Sequence, residues 1–105
     1  MIVLTTDTVP GRSTAEAMGL VRGASVRSRH VGGDIAAALR NLVGGEIREY
    51  ASLLSATRDR ALERMCEDAR ARGADAVVGL RFETTQIAQA AAEVMAYGTA
   101  VRLAP

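Results

Sequence analysis

The sequence predicts an α+β subunit in which a small antiparallel sheet lies on one side of a long amphipathic helix. Three observations carry that prediction. Apolar residues recur three or four apart from Glu46 to Arg72, apolar and polar positions alternate in stretches on both sides of that helix, and glycine-rich turns separate the segments. The order is strand, long strand, two helices, two strands (β-β-α-α-β-β), and strand runs flanking a helical middle belong to the α+β class.

Each element has a local reason. Ile2, Val3 and Leu4 open a short β-branched run that Asp7, Pro10 and Gly11 close with turn chemistry. From Met18 to Val31 a second strand places Leu20, Ala24 and Val26 on one side and Arg27 and Arg29 on the other. Gly19 and Gly23 inside it predict a bulge or a close backbone approach, because glycine otherwise weakens a strand. Gly32-Gly33-Asp34 forms a turn ending in an N-cap, and Ile35, Leu39, Leu42 and Val43 then follow at helical spacing until Gly44-Gly45 stops them.

The second helix is the clearest feature. Ile47, Tyr50, Ala51, Leu54, Ala61, Leu62, Met65 and Ala69 form one stripe, opposite a charged face that includes Arg64, Asp68 and Arg72. At 1.5 Å per residue it spans about 40 Å. Gly73 is the expected residue after its end. A third strand runs from Asp75 to Thr85, with Ala76, Val78, Leu80 and Phe82 on one side and Val77, Gly79, Arg81 and Glu83 on the other, and a fourth runs from Glu93 to Leu103. On the fourth, Met95, Tyr97, Val101 and Leu103 share a face, and Val94, Ala96, Gly98 and Ala100 share the other. Both faces are small or apolar, which fits burial on two sides. The link from Ile87 to Ala92 has no Gly, Pro, Asn or Asp, so its turn type is not legible. One helix supplies one apolar stripe, so the second face of the last strand lacks cover within the chain. Self-association is the expected remedy.

Composition limits the function classes. The chain has 105 residues, 49% hydrophobic but only 3% aromatic, with one Cys, one His and no Trp, which bounds it to one small domain over residues 1–105 with an aliphatic core. Such a chain is neither a disulfide scaffold nor a disordered polymer. No apolar run reaches the roughly 20 residues of a membrane-spanning helix, and Met1–Thr6 lacks a basic leader, so a cytoplasmic protein is expected. All 13 basic residues are Arg against 12 acids, for a net charge of +1. That balance gives no general attraction to nucleic acid or anionic lipid. The local exception is Arg22, Arg27, Arg29 and His30, a candidate anion-binding group, although alternation sets Arg22 apart from Arg27 and Arg29.

No catalytic constellation is visible. A triad needs a nucleophile, a base and an orienting group, and His30 is the single imidazole. Cys66 lies among Leu62, Met65 and Ala69, the setting of a buried, inert thiol. One Cys and one His cannot build a tetrahedral soft-metal site within one chain. A ring of subunits could still gather one ligand from each copy, with His30 and Asp75 as candidates. Gly32-Gly33-Asp34 and Gly44-Gly45 lack the spacing of phosphate-cradling loops and read as helix punctuation.

Three segments carry a resemblance. Val43-Gly44-Gly45, with Arg40 before it and Tyr50 after it, Gly73-Ala74-Asp75-Ala76-Val77-Val78-Gly79, and Gly98-Thr99-Ala100-Val101 match the signature of the YbjQ-like family of small bacterial and archaeal proteins. Thr5-Thr6, Gly19 and Gly23 fit its N-terminal pattern, so the resemblance covers nearly the whole chain. It implies a dodecin-like subunit, a small antiparallel sheet wrapped round a helix, assembled as a ring-shaped homopentamer. It also brings a heavy-metal-binding label. This chain departs where acidic residues often stand in the family, with Ala24 in one place and Leu80-Arg81-Phe82 in the other.

Physically, the signature reads as architecture: Gly73 stops a helix, Asp75 holds turn amides, and Gly79 lets a strand pack against a neighbour. The expectation is therefore a non-enzymatic homo-oligomeric binding or assembly module without a cofactor. Its alternatives are a metal-binding ring with ligands shared between subunits, and a small-anion binder or enzyme using Arg22, Arg27 and Arg29 at a subunit boundary.

Overall fold

The structure is a computed structural model that describes residues 1–28, 45–88 and 91–105. The expected first helix over 35–43, its stop at Gly44, and residues Arg29 and His30 lie outside the described residues, as does the tip of the 87–92 link. The described elements are β1 (Ile2–Val3), β2 (Thr14–Ser28), α1 (Gly45–Ala71), β3 (Ala76–Ala88) and β4 (Ala91–Leu103). The α+β class holds, with one helix among the described residues. The expected long helix, Glu46 to Arg72, is displaced by a single residue at each end.

The sheet is mixed, which corrects the expectation of a purely antiparallel one. Its order is β1-β3-β4-β2; β4 is antiparallel to both β2 and β3, whereas β1 runs parallel to β3, pairing Ile2 with Ala76 and Val3 with Val77. The reason is topological. β1 and β2 occupy opposite edges, so the chain between them must cross the sheet, and that crossing lays Leu4 and Val9 over the face away from the helix. Hydrogen bonds from the Leu4 amide to the Val77 carbonyl (2.9 Å) and from the Gly79 amide to the Thr6 carbonyl (2.8 Å) anchor its start.

On the other face α1 lies flat along β2 and β4. It does not stand within a sheet wrapped round it: Phe82 and Thr84, on the same face of β3, stay exposed. Ala61, Met65 and Ala69 meet Val21, Val94, Ala96 and Ala100, all fully buried. Each large aliphatic side chain removed from water here contributes about 1.5–3 kcal/mol. The helix comes this close because of one residue on β2. A Cβ at Gly23 would lie 2.2 Å from the Met65 amide nitrogen and 2.3 Å from the Ala61 carbonyl oxygen. Both are helix backbone atoms, and neither can move aside alone.

The two irregularities flagged by glycine are therefore different in kind. Gly23 is a close approach, and Gly19 (φ 98°) sits at a shift of register between β2 and β4. Gly79 serves otherwise than expected. Nothing lies near its Cβ position, but its φ of 65° forms a bulge in β3, where Gly79 and Leu80 together face Gly98. Close packing falls to Gly98, whose Cβ would meet Val77 Cγ1 at 2.7 Å. Gly73 ends the helix as expected: its amide bonds the Arg70 carbonyl and the Ala74 amide bonds the Ala69 carbonyl.

Candidate functional site

The face of the sheet opposite α1 divides into a covered half and an open half. Alternation and register decide which residues share it. Across β2, β4 and β3 the rows read Leu20, Thr99, Val78; then Arg22, Tyr97, Arg81; then Ala24, Met95, Glu83; then Val26, Glu93, Thr85. At one end Val101, Leu103, Ala76 and Val78 are buried beneath Val9 and Leu4. This corrects the expectation that nothing in the chain covers the second face of the last strand. The crossing segment covers that end, while Met95 and Tyr97 are only half-buried and Leu20 (58%) and Val26 (50%) stand exposed.

The alternation of β2 was legible, but not which side would be buried. Leu20, Ala24 and Val26 point outward, and Val21, Gly23 and Ser25 take the buried side. Small residues there admit the helix backbone, which outweighs the burial a larger aliphatic row would supply.

The structure separates the sequence-derived site residues. Asp75 is engaged by the fold: its Oδ2 accepts the Leu103 amide (2.8 Å) and its own amide bonds the Val101 carbonyl (2.9 Å), extending the ladder where β3 has not yet begun. Arg22 lies on the open half-face, whereas position 27, paired with Ala92, belongs to the opposite alternation. Thr99 is exposed on the same face as Arg22. On the charged face of the helix Asp68 pairs with Arg72 (3.3 Å), whereas Arg64 donates to the Ala24 carbonyl (2.6 Å). Asp68 also accepts the Arg22 amide at 3.4 Å, so two helix side chains cap the free edge of β2. Such capping discourages further strand addition at that edge.

Two groups escaped the sequence reading. Tyr97 pairs with Arg22 across β2 and β4, and Arg81 joins their row only through the β3 bulge, which shifts the alternation by one position. A strict period of two over 76–83 puts Val78 and Arg81 on opposite sides; the bulge returns them to one face. The second is a groove of about 450 Å³ on the flank of α1, lined by Asp59, Leu62, Glu63, Cys66 and Arg70. Cys66 is free and buried there, as its apolar neighbours in the sequence predict. Among the described residues no three His, Cys, Asp or Glu side chains are grouped to hold a metal ion. No helix among them is long and apolar enough to cross a membrane.

Comparison with known proteins agrees with this architecture. A family model described as "Putative heavy-metal-binding", YbjQ, matches residues 1–104. A UPF0145 protein of Halobacterium salinarum is 54% identical over 104 residues, covering 99% of this chain and all of that protein. One from Archaeoglobus fulgidus is 55% identical over 98% of this chain and 95% of its own length, and one from Vibrio parahaemolyticus is 50% identical over 98% of each. A crystal structure of a DUF74-family protein of unknown function from Pediococcus pentosaceus superposes with a TM-score of 0.66 at 18% identity, over 99% of this chain and 98% of that one. At that identity the likeness concerns the fold.

Proposed function

This chain belongs to the YbjQ family, and we propose that it acts as a non-enzymatic homo-oligomeric binding or assembly module in the cytoplasm, built as a ring of five copies. The observation that carries the reading is the open half-face, where Leu20 and Val26 are half or more exposed beside Met95 and Tyr97. Apolar side chains gathered on one side of a sheet mark a contact surface. The subunit's shape supports the same reading. Its radius of gyration is 16.6 Å, against about 13 Å for a compact chain of this length, and its extents are 52 × 23 × 15 Å. A slab 15 Å thick has little interior of its own. The number five comes from the family resemblance, and a head-to-tail contact that closes on itself is the geometry a ring requires.

Light scattering coupled to size exclusion tests this. The expected result is a mass near five subunits that falls on dilution or on Leu20→Asp with Val26→Asp. A chain that stays a single subunit at high concentration overturns the reading.

A second reading follows from the family description. A heavy metal would take ligands shared between copies, with His30 and Asp75 as the candidates. Asp75 has an oxygen already committed to the Leu103 amide, so the fit within one chain is poor. Elemental analysis of protein purified without chelators or affinity metal decides it: a fixed metal stoichiometry per ring supports the reading, and none removes it.

A further inference from the structure

We propose that the row formed by Arg22, Tyr97 and Arg81, with Thr99 beside it, binds the phosphoryl group of a small phosphorylated molecule that carries an apolar body. Position comes first. The three residues lie side by side on adjacent strands, so Arg22 and Arg81 flank Tyr97 about two strand spacings, or roughly 10 Å, apart. An arginine side chain is long enough to reach toward Tyr97 from either of these positions. Thr99 is the next outward residue of β4 on that face, at the step where the crossing segment begins to cover the sheet.

Charge comes second. Arg60, Arg72 and Arg102 are paired with carboxylates. Arg22 and Arg81 have no such partner among the described residues. Arg81 donates Nη1 to the carbonyls of Thr5 (3.2 Å) and Leu80 (2.7 Å), contacts that hold the side chain at the step while leaving Nη2 and Nε without a partner among those residues. The Arg22 guanidinium and the Tyr97 and Thr99 hydroxyls likewise have no hydrogen-bond partner among them. Two guanidinium forks and two hydroxyl donors on neighbouring positions of one sheet face are the donor set a phosphoryl group takes, and guanidinium matches it in a bidentate way.

The surroundings specify the rest of the ligand. Exposed Leu20 and half-buried Met95 border the row on adjacent rows, offering an apolar rest beside the charge. Glu83, one row further along β3, repels an anion placed beyond Arg81 and so confines it to the row. All these residues come from a single chain, so the site goes beyond the assembly reading. In an assembly that covers the half-face it becomes a boundary between copies.

Calorimetric titration of the intact protein with inorganic phosphate, phenyl phosphate and benzyl alcohol tests the proposal. Phenyl phosphate is expected to bind more tightly than inorganic phosphate, in a salt-dependent manner, and benzyl alcohol not to bind. Arg22→Gln and Arg81→Gln should each weaken phenyl phosphate by about tenfold. Arg22→Gln is the decisive variant because that guanidinium supports no described contact of the fold. Glu83→Gln should tighten binding, and Arg60→Gln should leave it unchanged. Absence of saturable binding, or equal binding by Arg22→Gln, overturns the site. Light scattering on the same samples keeps the two readings apart: an intact ring without phosphate binding removes this site alone, and phosphate binding by a lone subunit removes only the ring.

Discussion

The face of the sheet beneath α1 and the face beneath the crossing segment are sealed by different means, and the contrast explains where this small chain keeps its surface free. Under the helix, closeness substitutes for bulk: Gly23 lets the backbone of α1 approach the strand, and Ala61, Ala69, Ala96 and Ala100 are fully buried around Met65. On the opposite face a loop without regular structure carries just Leu4 and Val9 onto the sheet. A helix of 27 residues covers its strands along most of their length, whereas the loop covers one end. With 3% aromatic residues the chain has few large side chains with which to extend that cover.

The largest effect that would break this comparison belongs to the helix face. Gly23→Ala should cost at least about 3 kcal/mol, because the added methyl meets main-chain atoms that cannot rotate away. Urea denaturation at fixed protein concentration would read the loss, and a shift below about 1 kcal/mol would show that helix and strand are not in such contact. On the other face Val101→Ala should cost about 2 kcal/mol, since Val101 is 3% exposed beneath the crossing segment. If that segment does not seal this end, the variant should be nearly silent.

A smaller loss is expected of Asp75→Ala, about 1–2 kcal/mol, from the stranded Leu103 amide. Asp75→Asn retains an acceptor and should recover most of it, whereas a metal-ligand role would make Asn as damaging to metal content as Ala. Smallest of all is Leu20→Ser. In a lone subunit it should change stability by no more than about 0.5 kcal/mol. In an assembly the loss should grow with protein concentration, because it then removes an intersubunit contact. Thermal melts across a hundredfold dilution series would separate the two cases.

Particular residues show how far local chemistry carried the reading. The ends of α1 were legible because Gly44-Gly45 and Gly73 bracket an apolar stripe of period 3.6. The bulge at Gly19 and the close approach at Gly23 were both within one prediction, but sequence could not say which glycine did which. That distinction depends on where the helix lands. The row of Arg22, Tyr97 and Arg81 was hidden for a similar reason. Its members are 59 and 16 positions apart, and the bulge at Gly79 reverses the alternation that would otherwise predict their sides. The glycine inside β3, Gly79, was the one available signal. The parallel pairing of β1 left no local trace at all, because two residues carry no record of direction.

Sequence alone determined the long helix and its stop at Gly73, the alternation of β4 and of β2 beyond Gly19, and the absence of an aromatic core, since each arises from interactions within a few residues. Tertiary structure decided which side of β2 is buried, that β1 joins the far edge, and that a loop shields one end of the outer face. Those outcomes depend on how closely two backbones approach and on how the chain must travel between edges, and neither quantity exists until the elements are assembled.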